Sequence, residues 1–312
     1  MAFGWAWSDF ELPRRAGANA ACSLHVSLPN SSYYSSQPMS EVCKLCGAVG
    51  ALCVSHIVPD FYLRSMLWKR PTGSAGQPQP FTFMMSSRPD RPDGLKQRGH
   101  WEKIVGLTER LLCPACEARF QVYEVYARNL LYGNAAGPLK KLPLGASVSG
   151  LPVGATFGHL LDVRQVAGVD YRKLRLFQLS LLWRASVASG SYFEDFSIGN
   201  TDEAIVREML HCENPGEETN YCCVMIDLQH KGRGCEDFLP QPQRQRDPRT
   251  KHYFYAFVLG GYYFNFHVPP QNPPEEALAC CVKKSGEMLV LVANAGDYMG
   301  MWATKMRQAG KL

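Results

Sequence analysis

Four cysteines arranged as two Cys-x-x-Cys pairs, Cys43/Cys46 and Cys113/Cys116, are the residues with the clearest chemistry in this chain. Each pair can fold back so that both sulfurs face one ion, and two pairs close a tetrahedral thiolate site of the kind zinc favours. Between them lies LCVSHIVPDFY, where His56 stands between a serine and two β-branched residues, just before Pro59. A histidine in that setting is either a hydrogen-bonded core residue or a proton acceptor. The remaining cysteines of the twelve include two doublets, Cys222-Cys223 and Cys280-Cys281, which read as buried thiols on strands, pointing to opposite faces. Spaced pairs without a disulfide framework suit a reducing compartment, and a cytoplasmic protein is expected.

The elements that must position these residues follow from pattern. ALCVSHIV fits a strand that Pro59 ends. From Pro114 the sequence reads as a helix closing at Gly133. Further on, DYRKLRLFQLSLLWRASVAS is a helix. Asp170 caps it, Leu174, Phe177, Leu181 and Ala185 recur at helical spacing, Trp183 belongs to the core, and Arg184 can reach an acidic partner. NTDEAIVREMLHC is a second helix, with Asn200 and Glu203 as a capping box. HLLDVRQVAGVD, YCCVMIDL and EMLVLVAN read as strands, and 252–268 as two strands joined at Gly260-Gly261. Residues 240–251 read as a loop. The expected class is α+β: a small zinc-bound first unit, then a domain of helices and antiparallel sheet. Residues 1–38 read as a disordered tail or an upstream extension before Met39. Residues 39–135 form the first unit, 136–158 a Gly- and Pro-rich linker, and 159–312 the second domain.

Hydrophobic residues make up 46% and charged residues 20% of the 312, an ordinary globular balance. No apolar run is long enough for a membrane span. The net charge is +5, and the stretch from Arg64 to Lys103 holds eight basic and three acidic residues, enough to supply all of that excess. This basic insertion is a footprint for nucleic acid, with Trp68, Phe81, Phe83 and Trp101 available to stack on bases. A solvated loop has the same composition.

A cysteine pair, a strand carrying a polar-His dipeptide, a long loop, and a cysteine pair opening a helix together resemble the HNH endonuclease family over residues 43 to about 131. The resemblance implies two strands and a helix around a catalytic divalent metal, magnesium or manganese, with a separate structural zinc on Cys43, Cys46, Cys113 and Cys116. It makes His56 the general base. Ser55 stands where Asp or His usually binds the metal, Thr108 where an Asn usually orients the base, and Glu117 where the helix usually supplies His or Asn. Glu117 is a good ligand for a hard cation. Glu124, two turns further on, is a second carboxylate or a plain surface residue; His100 is a further candidate ligand, and Arg64 a candidate phosphate clamp. The implied activity is hydrolysis of phosphodiester bonds, in DNA by analogy with the family, in a bacterial setting. A module that keeps the zinc and binds nucleic acid without cutting it, and a zinc-stapled interaction protein, are the alternatives.

Overall fold

The computed structural model describes residues 41–63, 107–134, 139–149, 160–190, 192–230, 233–234, 239–246, 251–269 and 273–298. The expected tail, the basic insertion beyond Leu63 with Arg64 and His100, and its four aromatic residues lie outside them. All described residues belong to one compact unit, Met39–Leu312. Two short ribbons come first: β1 (Glu41–Val42) with β2 (Val49–Gly50), and β3 (Cys53–His56) with β4 (Thr108–Leu112), both antiparallel. The helix α1 (Pro114–Tyr132) follows β4 directly. Pro114 occupies the first helical position, where its missing N–H costs nothing, and Gly133 closes the helix at φ 72°.

The second half is a mixed eight-stranded sheet carrying helices. Its strands are β5 (Ala146–Ser147), β6 (Leu160–Val166), β7 (Cys223–His230), β8 (Arg233–Gly234), β9 (Gln243–Arg246), β10 (Tyr253–Leu259), β11 (Tyr262–His267) and β12 (Met288–Asn294). The order is β5-β6-β12-β7-β11-β10-β9, with β8 paired to β7 off that path. The helices are α2 (Tyr171–Val187), α3 (Asn200–His211) and the short α4 (Glu275–Cys280). The β10–β11 hairpin turns at Gly260 and Gly261, with φ 56° and 82°. Left-handed backbone at both central residues suits the twist of a two-residue hairpin. A side chain at Gly260 would also overlap the Tyr132 hydroxyl, which instead donates to the Gly260 carbonyl at 2.7 Å.

Several local expectations need correction. The sheet is not wholly antiparallel, because β12 runs parallel to β7. Residues 240–251 contain β9, which pairs with β10 although its QRQR sequence has no apolar alternation. The expected linker contributes β5 to the edge of the sheet and sends Lys141 into a buried ion pair with Asp227. Lys141 also donates to the Leu228 carbonyl at 2.6 Å, so a cation sits in the interior because three acceptors and the Tyr262 ring receive it. The Asn200–Glu203 box does not form: Gly199 holds the N-cap, and the Glu203 carboxylate accepts from Ser186 Oγ at 3.0 Å. Cys222 and Cys223 do lie in two different core clusters on the two sides of the sheet. Cys280 and Cys281, however, end α4 rather than forming a strand.

Helix α2 organises the interior. Asp170 accepts from the Lys173 N–H at 3.0 Å, as its capping position requires. Every residue from Leu174 to Ala185 is buried, so the helix is covered on all sides. One continuous core joins Cys43, Leu45, Ile57, Leu111 and Phe120 of the first half to Phe177, Trp183 and Phe264 of the second. The small ribbons could not stand alone in water. Packing on α1 and α2 holds them.

Candidate metal centre and the adjoining polar site

The β1–β2 turn carries the first cysteine pair. It is closed by Cys43 N–H to the Ala48 carbonyl and Gly47 N–H to the Cys43 carbonyl, both at 2.9 Å. The second pair sits at the head of α1, with Cys113 at the N-cap and Cys116 in the first turn. The Lys44 N–H donates to the Leu111 carbonyl at 3.1 Å and binds the turn to β4. The four Sγ atoms therefore lie within 4.8 Å of one another, with Cys46 and Cys113 3.8 Å apart. This cluster could hold a metal ion.

The two buried sulfurs, Cys43 and Cys116, are tuned in opposite directions. Burial pushes the Cys43 thiol up, but the backbone N–H groups of Cys46, Cys113 and Leu45 outweigh it and bring it down to about 7. Burial and the neighbouring sulfurs push Cys116 up to about 12 against the opposing hydrogen bond from Arg119. Arg119 Nη2 donates to Cys116 Sγ at 3.1 Å, and its Nη1 reaches the His211 carbonyl at 2.9 Å. A coordinated cation would override the crowding, because a ligating thiol gives up its proton.

Beside the cysteines, β3 and β4 present the expected polar residues in register: His56 is opposite Thr108 and Ser55 opposite Glu109. Successive strand residues face opposite ways. Ser55 points inward, is fully buried, and donates to Glu117 Oε2 at 2.6 Å. His56, on the other face, is partly exposed, with Nε2 3.6 Å from Asp60 Oδ1. That separation is ion-pair range and longer than a good hydrogen bond. Asp60 was not anticipated. Its signal is the four-residue spacing from His56 across Pro59, since residues 60–63 are helical and bring the carboxylate back toward the strand.

Glu124 is no plain surface residue: it is largely buried and ion-paired. Its Oε1 lies 2.7 Å from Nη1 of the buried Arg184, which supplies the acidic partner expected for that arginine. The same guanidinium donates to the His56 carbonyl at 2.6 Å and to the Ser180 carbonyl at 3.3 Å, and it packs 5.4 Å from the Phe120 ring. Arg184 thus fastens the end of β3 to both long helices. The contact to His56 was not legible in the sequence, since it joins residues far apart in the chain.

Glu109 ties the ribbon to the end of α2. It accepts from the Ser189 N–H at 2.8 Å, from Ser189 Oγ at 2.9 Å and from Lys44 Nζ at 3.3 Å. Burial works against its ionisation, but the Ser189 donors and the Lys44 ammonium hold its carboxyl below the ordinary range. A lowered folded value gives stability that is present above the unfolded value and is lost as pH falls through the folded one. Replacing Glu109 with Gln is therefore expected to flatten the acid limb of a pH–stability curve from denaturant melts. An unchanged acid limb would contradict this role.

No family model, curated protein or solved structure matches the chain. Among the described residues, no helix is long and apolar enough to cross a membrane.

Proposed function

We propose that β3, β4 and α1 form an HNH-like endonuclease unit, braced by a zinc ion on the four cysteines, that hydrolyses DNA phosphodiester bonds. What supports this reading is the β3–β4 ribbon leading into α1 beside the four sulfurs, with His56 opposite Thr108 on one face of β3 and Ser55 Oγ against Glu117 Oε2 at 2.6 Å on the other. Zinc fits the sulfurs: thiolates at about 2.3 Å from a tetrahedral ion lie about 3.8 Å apart. The Cys46–Cys113 separation is 3.8 Å and all four are within 4.8 Å.

In this reading His56 takes the proton of the attacking water, with the Asp60 carboxylate 3.6 Å from its Nε2. Thr108 flanks the base across the ribbon, where its hydroxyl can steady the ring. Glu117 is the hard-cation ligand, with Ser55 fixing its carboxylate. Glu124 acts through Arg184, a positioning residue that holds the His56 main chain. A magnesium or manganese ion bound at Glu117 would neutralise charge developing on the phosphate.

A second reading has a specific observation in its favour. The Ser55 hydroxyl is buried and engaged with Glu117, so the pair can be complete without a second metal, and the unit would bind nucleic acid without cutting it. Titration of manganese into the zinc-loaded protein, followed by the loss of the free-ion paramagnetic signal, separates the two. The nuclease reading predicts one manganese site that disappears in Glu117→Ala while zinc content stays constant. Absence of that site in the unsubstituted protein would favour the binding module.

A further inference from the structure

The outer edge of the eight-stranded sheet carries a second cationic surface. In β9, glutamine and arginine alternate, and the two exposed residues are Arg244 and Arg246. They lie opposite Tyr255 and Tyr253 of β10. Both guanidinium groups lie over the half-exposed Tyr253 ring, at 4.2 Å and 5.4 Å from its centre. Arg246 Nε donates to the Lys251 carbonyl at 3.1 Å. Arg244 makes no hydrogen bond or ion pair among the described residues. The carboxylate that acts on the neighbouring Tyr255, Asp202, already accepts from the Tyr221 hydroxyl at 2.8 Å. Two cations already placed over an aromatic ring lose less conformational freedom when they meet an anion.

Position strengthens the case. Ile57, which follows His56, and Pro242, which precedes β9, line one apolar crevice together with Leu181, Tyr192 and Leu239. The segment that follows His56 and the one that leads into β9 thus pack against the same part of the buried core.

We propose that Arg244 and Arg246 form a phosphate-contacting edge that seats duplex DNA beside the His56 site. This rests on nucleic acid being the partner of that site. The contacts position the duplex without reading its sequence.

The test is fluorescence anisotropy of a labelled duplex across a salt series, with the full chain loaded with zinc. Removing two phosphate contacts lowers the slope of log K against log salt by about 1.8 for duplex DNA. We expect R244Q/R246Q to show that drop, equally for unrelated sequences. R244K/R246K, which keeps both charges, is expected to retain the original slope. An unchanged slope in the glutamine variant, a drop confined to single-stranded DNA, or an equal drop in the lysine variant would overturn the assignment. If the unsubstituted protein binds no duplex at any salt, the reading of the His56 site fails with it. Steep binding that ignores both substitutions leaves that reading standing and removes only this surface.

Discussion

Replacing Cys116 with alanine is expected to abolish stoichiometric zinc and to release the first half of the fold. Purified protein should carry one zinc per chain, and the variant close to none. Structural zinc in small finger peptides contributes about 10–16 kcal/mol of apparent binding energy at neutral pH, and that energy is folding energy where no site preexists. Here part of the site is held by other means: Lys44 bonds to Leu111, and Leu45, Leu111 and Leu112 are buried in the shared core. The loss should be local. The β1–β2 and β3–β4 ribbons are two to five residues long, too short to persist unbraced. Hydrogen exchange should show their amides unprotected in the variant. The amides of β7, β11 and β12, deep in the large sheet, should keep much of their protection. Full protection of both ribbons without the metal would mean that the sulfurs cluster by packing alone.

The second large effect concerns Arg184. Its replacement by methionine leaves Glu124 without its buried cation and the His56 carbonyl without its donor. Removing one partner of a buried pair typically costs about 3–5 kcal/mol, whereas replacing both by apolar residues is often close to neutral. Denaturant unfolding should therefore show a deep loss for Arg184→Met and a substantial recovery for Arg184→Met combined with Glu124→Leu. The recovered double variant still lacks the donor to the His56 carbonyl. Its His56 ring should sample more than one environment by NMR, although the fold is restored. A double variant no more stable than the single one would show that Arg184 acts chiefly through His56 and Ser180.

The sequence carried local information well and long-range information poorly. The helix from Pro114 to Gly133, the Asp170 cap and the hairpin at Gly260-Gly261 all depend on a few adjacent residues, and each forms as its chemistry dictates. The four cysteines were legible because two equal spacings state a geometry that one ion can satisfy. β9 was not, because a QRQR strand at a sheet edge is specified by its partner β10 and not by its own pattern. The partner of Glu124 was hidden for a related reason. Helical spacing put Glu124 two turns from Glu117, but only the packing of α1 on α2 reveals that Arg184 takes it. The Asn200–Glu203 box failed because Gly199, at φ 87°, holds the N-cap, and Glu203 turned to Ser186.

The most direct measurement is nicking of supercoiled plasmid by the zinc-loaded protein in magnesium or manganese, alongside His56→Ala. A general base contributes about 10²–10⁴-fold to rate. The nuclease reading predicts metal-dependent nicking that falls by that factor in His56→Ala, while zinc content and DNA retention stay unchanged. No nicking by the unsubstituted protein with zinc bound, or nicking that persists undiminished in His56→Ala, would contradict it.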